Sequence, residues 1–193
     1  MNSHEQRFTA WHPHAVSDSE SLAQIFRFRE QVWRATGGIS ADAFANGSWE
    51  DEWDAEGTHW VIRDEDIQIV ASARLTVHEN IRAVPEAEEY LRYGYLPSGR
   101  IASPARVVVS PECQGRGLGK RLLAVQDEHA LASGAAHAVR QASPAMIRLL
   151  VPRGWRVLGP ARSDPRFPGV EFQVATLDLQ QAFEPLIRSP DSR

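Results

Sequence analysis

The order of hydrophobic and polar residues predicts that the chain opens with a strand and a helix. Apolar and polar residues over 7–16 indicate a first strand. Leu22, Ile25 and Val32 then recur at the spacing of a helix that buries one face. The Ser-x-x-Glu sequence at 17–20 indicates a capping box, in which the two side chains satisfy the first N–H groups of that helix.

Apolar runs and alternating segments predict the remaining elements and the class of fold. Strands are predicted over 58–63, 67–78, 106–109, 136–140, 155–158 and 170–179, and helices over 86–93, 118–132 and 144–151. The acidic run at 86–89 is interpreted as the solvated face of a short helix. Strands that alternate with helices in this way predict an α+β fold with an extended central sheet.

Length and composition favour one domain over residues 1–193. The chain is long enough to bury one sizeable core and short for two. Its hydrophobic share of 42% and charged share of 24% are those of an ordinary soluble protein. The net charge of -4 provides no broad basic field, so we expect no binding to nucleic acid or to an acidic membrane. Chemistry on a small molecule or a peptide is therefore the favoured class of function.

The single cysteine, Cys113, excludes an intramolecular disulfide and a cysteine-based zinc site. Residues 1–7 contain no apolar signal core, and no apolar run of the sequence is long enough to cross a bilayer. We therefore expect a cytoplasmic protein.

The most informative segment is 114–120, Gln-Gly-Arg-Gly-Leu-Gly-Lys, which lies between a predicted strand and a predicted helix. Glycines let backbone N–H groups approach an anion, and the start of a helix carries partial positive charge. Arg116 and Lys120 add full charges. The segment therefore predicts a turn that binds a diphosphate; the alternative is a glycine-rich turn that only joins strand to helix.

Two other phosphate-binding loops do not fit this segment. A Walker A loop requires Ser or Thr after its lysine, and here Arg121 follows Lys120. The dinucleotide fingerprint Gly-x-Gly-x-x-Gly does not match the spacing of Gly115, Gly117 and Gly119.

The segment resembles the signature of the GNAT acyltransferase superfamily, Gln/Arg-x-x-Gly-x-Gly/Ala, through Gln114, Gly117 and Gly119. A weaker resemblance over 22–179 is closest to ElaA-like acetyltransferases and, more distantly, to autoinducer synthases. The similar positions are 27–33 (Arg-Phe-Arg-Glu-Gln-Val-Trp), Asp51, Asp54, His59, 71–75 (Ala-Ser-Ala-Arg-Leu) and 106–109 (Arg-Val-Val-Val).

This resemblance implies a GNAT-like α+β fold. Its central sheet would be mixed, mostly antiparallel, splayed after the fourth strand and flanked by helices, with an insertion at about 79–100. It also implies an N-acetyltransferase that moves an acetyl or short acyl group from acetyl-CoA or another acyl-CoA, without a metal. The acceptor would be a small-molecule amine or a peptide N-terminus that attacks directly in a ternary complex, and the protein would be a monomer or homodimer.

The resemblance also assigns roles to residues. The backbone N–H of Val109 would stabilise the oxyanion, while His59 or Asp54 would remove a proton from the amine. The expected acceptor-binding residues are Arg29, Asp51, Arg74, Tyr93 and Glu171, and the expected CoA-binding residues are Val107, Val108, Val109, Gln114, Gly115, Arg116, Gly117, Leu118, Gly119 and Lys120. The alternatives to these roles are that His59 is only a packed strand histidine and that the charged residues form an architectural ion-pair cluster.

Two departures from the family pattern limit this transfer. Leu150 occupies the position of the tyrosine that protonates the leaving thiolate in many GNAT enzymes, so that acid is not carried over. Glu171 stands where the ElaA-like branch has a histidine. Leu150 leaves a non-catalytic CoA-binding module as an alternative function, and the resemblance at Asp51, Asp54 and Arg74 leaves a longer-chain N-acyltransferase like the autoinducer synthases as another.

Overall fold

Seven strands form one sheet in this computed structural model, which describes residues 10–44 and 46–187. The strands are β1 (Pro13–Val16), β2 (Thr58–Arg63), β3 (Ile69–His78), β4 (Ile101–Val109), β5 (His137–Ala142), β6 (Arg156–Pro160) and β7 (Gln173–Asp178). They lie in the order β1-β2-β3-β4-β5-β7-β6. The neighbours β4 and β5 run parallel, and the other neighbouring pairs are antiparallel. The predicted α+β fold with a mixed, mostly antiparallel sheet is confirmed.

Helices flank the sheet on both faces. They are α1 (Ser19–Ala35), α2 (Glu88–Leu91), α3 (Leu118–Ala132), α4 (Pro144–Leu150) and α5 (Leu179–Ile187). Short 3₁₀ helices lie at Glu52–Asp54, Ile81–Ala83, Pro111–Cys113 and Val151–Arg153. The bounds of α3 coincide with the prediction, because an unambiguous glycine turn precedes it and glycine follows it.

Several predicted boundaries differ from the structure, and the largest difference within the described residues is at β4, which begins at Ile101 rather than at Arg106. The cap of α1 is Asp18 rather than the predicted Ser17, since the Asp18 carboxylate accepts the Ser21 N–H at 2.8 Å. Strand β1 begins at Pro13, and residues 7–9 of the predicted strand lie outside the described residues. Strand β7 begins at Gln173 rather than at Val170, whose N–H instead closes a turn on the Phe167 carbonyl at 3.2 Å.

The sheet opens between β4 and β5. The two strands pair only at Ile101 with His137 and at Ala102 with Ala138. At about 3.3 Å per residue, the part of β4 from Ala102 to Val109 runs for roughly 23 Å without pairing to β5. The sheet therefore splays after its fourth strand, as predicted.

A β-bulge lies in β4 along this opening. The pairing of β3 with β4 shifts by one residue between Val108 and Ala105, so Arg106 and Val107 both stand opposite Ala73. Arg106 has a φ of +57°, in the left-handed region that is costly for a residue with a Cβ atom. The bulge redirects the side chains of β4 at the middle of the opening.

A glutamine from α3 stabilises the bulge. The Gln126 side chain is buried, and its amide donates to the carbonyl oxygens of Arg74 at 2.6 Å and Ala105 at 3.1 Å. These carbonyls would otherwise lack part of their hydrogen bonding where the strand ladder is interrupted. Helix α3 is thereby tied to the bulged part of the sheet.

Three apolar clusters pack around the sheet. The main cluster lies under α3 and α4 and contains Leu122, Leu123 and Leu150. A second cluster packs the 79–100 segment against the sheet through Ile81 and Tyr90.

The third cluster is aromatic and is centred on Trp33, Trp49 and Phe167. The ring centroids of Trp33 and Trp49 both lie 5.2 Å from that of Phe167. These contacts join α1 to the acidic segment before β2 and to the long connection between β6 and β7. The cluster therefore holds together segments that surround the opening.

We expect Leu150→Ala to lower the free energy of unfolding by about 2–5 kcal/mol, because Leu150 is fully buried in the main cluster. Urea unfolding followed by tryptophan fluorescence measures the loss. Leu96→Ala is the matched control, since Leu96 is 65% exposed and should change stability by no more than about 0.5 kcal/mol. Equal losses in the two variants would contradict this placement of Leu150.

Candidate functional site

The glycine-rich turn lies between the end of β4 and the start of α3. Gly115 has a φ of +78° and Gly117, the residue that caps α3, has a φ of +80°. Residues 114–117 and Lys120 are exposed, Gly119 is half-buried and Leu118 is buried. The first N–H groups of any helix have no acceptor within the helix, and those of α3 belong to this turn.

Gly119 leaves room at the first turn of α3. A Cβ atom at this position would find its nearest neighbours at 3.9 Å, on Leu149, and at 4.0 Å, on Val109. Packing within the protein therefore does not require glycine here. Open space and the first N–H groups of α3 lie together at this turn, whose sequence includes the cationic residues Arg116 and Lys120.

The direction of the Val109 N–H follows from the β3–β4 ladder. The Ser110 N–H donates to the Val70 carbonyl at 2.9 Å, which makes these two residues a hydrogen-bonded pair. The preceding pair, Val109 with Ala71, is then a non-hydrogen-bonded pair of the antiparallel ladder. The N–H of Val109 therefore points away from β3, toward the side left open by β5.

A cavity of about 360 Å³ occupies the opening between β4 and β5. Its walls come from β4 over 103–108, from 140–143 at the end of β5, and from the acidic segment over 51–53. The aromatic side chains of its wall are Trp33, Trp49, Trp53, Tyr90, Phe167 and Phe172. Of the predicted CoA-binding residues, Val107 and Val108 line this cavity, while the glycine turn lies outside it.

Two aspartates form a capping box at the short 3₁₀ helix Glu52–Asp54. The Asp51 N–H donates to Asp54 Oδ2 at 2.9 Å, and the Trp53 N–H donates to Asp51 Oδ1 at 3.0 Å. The local sequence therefore holds both carboxylates at one turn, with their remaining lone pairs directed toward the sheet.

Three arginines converge on these two carboxylates. Arg29 Nη1 donates to Asp54 at 2.8 Å, and Arg74 Nη1 lies 2.9 Å from Asp54 and 2.5 Å from Asp51. Arg106 pairs with Asp51, and its guanidinium lies 4.4 Å from the centre of the Trp49 ring. The structure thus brings together the predicted residues Arg29, Asp51, Asp54 and Arg74, with Asp51, Arg74 and Arg106 in the cavity wall.

The cluster carries one excess positive charge. Burial raises the pKa of the Asp51 carboxyl, but Arg106 and Arg74 outweigh it and bring that pKa to about 2. Burial likewise opposes ionisation of Asp54, yet Arg29 and Arg74 hold the pKa of that carboxyl below its usual value. Both aspartates are ionised at neutral pH, so three guanidiniums meet two negative charges.

Both ring nitrogens of His59 are engaged in this cluster. Nε2 donates to the backbone carbonyl of Asp54 at 2.9 Å, which assigns the ring hydrogen to Nε2. Nδ1 then accepts from Arg29 Nη2 at 3.2 Å. Burial lowers the pKa of His59, and the nearby Arg29 lowers it further. The geometry favours a neutral histidine that supports Arg29 over the predicted role as a base.

Glu86 is a cavity residue that sequence reasoning missed. Its carboxylate accepts a hydrogen bond from the Gln141 amide of β5, and its φ is +53°. The side chain is accessible to water within the concave wall of the cavity. Desolvation by the surrounding protein raises the pKa of Glu86, although Arg106 and Arg166 act against this rise. The residue is not on a solvated helix face, because α2 begins only at Glu88.

Three predicted acceptor-binding residues lie outside the cavity wall: Arg29, which is fully buried in the ion-pair cluster, Tyr93 and Glu171. The Tyr93 hydroxyl donates to the Pro160 carbonyl of β6 at 2.6 Å. Glu171 is exposed, one residue before Phe172, which does line the cavity. The tyrosine of this segment that lines the cavity is Tyr90, whose pKa is raised by burial.

Within residues 10–44 and 46–187, no group of three or more His, Cys, Asp or Glu side chains is placed to hold a metal ion. No helix in these ranges combines the length and the apolar character needed to span a membrane.

Structural comparison finds the same fold in proteins of low sequence identity. BjaI, a CoA-dependent acyl-homoserine lactone synthase, is 19% identical with a TM-score of 0.64, over 91% of this chain and 87% of its own. A putative N-acetyltransferase from Lactobacillus plantarum is 20% identical with a TM-score of 0.61, over 87% of this chain and 99% of its own. FeeM, an N-acyl amino acid synthase from uncultured soil microbes, is 10% identical with a TM-score of 0.66, over 89% of this chain and 92% of its own.

Sequence comparison supplies the family. No curated protein matches the chain at a significant level. Residues 55–150 match the family model of the acetyltransferase (GNAT) domain, a range that contains β2 to α4 with the glycine turn and the splayed strands. The chain therefore belongs to the GNAT superfamily of acyltransferases.

Proposed function

We propose that the protein transfers a short acyl group from acyl-CoA to a primary amine, by direct attack in a ternary complex. The observation that carries this proposal is the position of the glycine turn at the wide end of the opening between β4 and β5. A diphosphate at the turn would leave the arm of CoA directed into the opening. The likeness to BjaI, which is CoA-dependent, supports acyl-CoA as the donor.

The donor would be held by backbone groups. N–H groups from Gly115 to Lys120, with the charges of Arg116 and Lys120, would bind the diphosphate, and Gln114 would flank it. Polar groups of β4 that lack a β5 partner, along 107–109, would pair with the amide groups of the arm. When bound, acyl-CoA supplies an activated thioester.

The transfer replaces one bond of the acyl carbon by another. The amine nitrogen forms the C–N bond as the C–S bond breaks, giving an amide and the CoA thiol and releasing one proton from the ammonium overall. The Val109 N–H is directed into the opening, where it would donate to the thioester oxygen as negative charge develops there. The excess positive charge of the Arg29, Arg74 and Arg106 cluster favours the same charge development.

Glu86 is the proposed proton acceptor. It is an accessible carboxylate in the cavity, and its raised pKa brings its basicity closer to that of a useful base at neutral pH. Glu86 and Arg106 both have positive φ values and both line this cavity. Such strained positions in residues with side chains concentrate at functional sites. His59 and Asp54 are proposed as positioning residues that hold Arg29 and Arg74.

Gly119→Ala is expected to weaken CoA binding at least about tenfold, because the added methyl group, beside Leu149 and Val109, would fill space that the proposed site leaves to the donor. Isothermal titration calorimetry with CoA measures the affinity. Without ligand, the variant should be as stable as the parent protein or more so, since alanine is the better helix former by about 1 kcal/mol.

The parent protein tests the wider proposal. CoA at millimolar concentration should raise its melting temperature, because a ligand that binds only the native state stabilises that state. A folded parent protein with no shift would contradict the proposed function. Equal CoA affinities of parent and Gly119→Ala would contradict the assignment of the turn alone.

Glu86→Gln is expected to lower kcat/KM by about a hundredfold and to remove the acidic limb of its pH profile. Only the ionised carboxylate accepts a proton, so a raised pKa places this limb at higher pH than for an ordinary glutamate. Release of the CoA thiol, with the best acceptor from a panel of primary amines, measures the rate.

Glu88→Gln is the matched control, because Glu88 is exposed and lies outside the wall of the cavity. It should keep both the rate and the shape of the profile. If Glu86→Gln retained the acidic limb, another group would be the base.

His59→Ala is expected to destabilise the protein by about 2 kcal/mol, since it leaves the Asp54 carbonyl and one Arg29 nitrogen without their partner. Thermal unfolding measures this loss. The acidic limb of kcat/KM against pH should persist in the variant. A stable variant that lost the limb would instead identify His59 as the base.

A further inference from the structure

Arg140 is a buried arginine in the opening of the sheet. It lies on β5, two residues or about 7 Å beyond Ala138, the last residue that pairs with β4. The residue is 4% exposed and lines the cavity. Its Nε and Nη1 atoms are buried and have no hydrogen-bond partner in the described part of the chain.

The surroundings of Arg140 do not neutralise it at short range. Asp127 of α3 is the main negative charge that acts on Arg140, but its carboxylate is paired with Arg153. The Trp155 ring lies 5.9 Å from the guanidinium carbon. Burial lowers the pKa of Arg140 to about 10, so the group is still a cation at neutral pH. A buried cation without hydrogen-bonding partners is costly, and proteins keep one where something else satisfies it.

The neighbours of Arg140 on β5 show which part of the site it faces. Side chains alternate along a strand, so Arg140 lies on the same face as Ala138 and Ala142, in the main cluster. Gln141 lies on the opposite face, where it bonds Glu86. The proposed base and Arg140 are thus on opposite sides of β5, and the neighbours of Arg140 on its own face of the strand are two small alanines.

We propose that Arg140 binds an anionic group at the end of the acyl chain, so that the preferred donor is the CoA thioester of a dicarboxylic acid. The inference rests on the proposed function, because the acyl group is the part of the donor that would lie deepest in the opening. A carboxylate there would satisfy the guanidinium through charge-assisted hydrogen bonds. The transfer then yields an amide with a free carboxylate, and the bonds made and broken are those of the proposed reaction.

Donor binding tests the inference without knowledge of the acceptor. Succinyl-CoA and butyryl-CoA carry four-carbon chains that differ in the terminal carboxylate. Calorimetric titration of the parent protein should give a Kd for succinyl-CoA about tenfold or more below that for butyryl-CoA. In Arg140→Met, which keeps a long side chain without charge, this preference should disappear or reverse.

A second variant and a matched control support the measurement. Arg140→Gln should also abolish the preference, and it serves if the methionine variant does not fold. Arg156→Met removes an equal charge from an exposed position of β6, and it should keep the preference of the parent protein.

The outcomes separate the inference from the function on which it rests. If CoA itself fails to bind the folded parent protein, the proposed function fails and the inference with it. If CoA binds but the parent protein holds succinyl-CoA no more tightly than butyryl-CoA, the inference alone is overturned. Equal weakening of both thioesters in the Arg140 variants would also overturn it, since Arg140 would then act on a part common to all donors.

Discussion

The separation of β4 from β5 after Ala102 is the constraint on which the rest of the structure depends. A sheet interrupted at its centre leaves backbone N–H and C=O groups without strand partners, and such groups need water or a ligand to satisfy them. The same separation leaves the cavity of about 360 Å³. Because β4 leads through one short 3₁₀ helix into the glycine turn and α3, the opening and the proposed diphosphate site are parts of one continuous segment.

Charged residues keep the opening in place at a cost in backbone strain and desolvation. The bulge holds Arg106 at a positive φ, and pairing with Asp51 and stacking on Trp49 offset that cost. The capping box and the arginines together satisfy the carboxylate oxygens of Asp51 and Asp54. Removal of any one partner would therefore leave a buried charge unpaired in a region of low dielectric constant. The ion pairs are therefore architectural, and the acceptor-binding role of the same residues stays a prediction.

His59 and Glu86 show where reasoning from residue type is limited. A histidine beside two aspartates has a suitable ordinary pKa, but the contacts of both its nitrogens depend on Arg29, which lies 30 positions earlier in the chain. Glu86 stands in an acidic run that is typical of a solvated surface. The turn before α2 nevertheless places its carboxylate in hydrogen-bonding contact with Gln141 of β5. In each case a partner distant in sequence decides which nitrogen or oxygen is free.

The sequence by itself determined the elements and motifs whose cause is local. The β-branched run of β4, the glycines before α3 and the alternating later strands each satisfy short-range rules, so the fold class and the turn could be predicted. Tertiary structure alone decided the strand order, the bulge at Arg106, the pairing of Arg29 with Asp54, the place of Glu86 and the burial of Arg140. These features depend on contacts between residues far apart in the chain, and on the desolvation that those contacts impose, which no local pattern encodes.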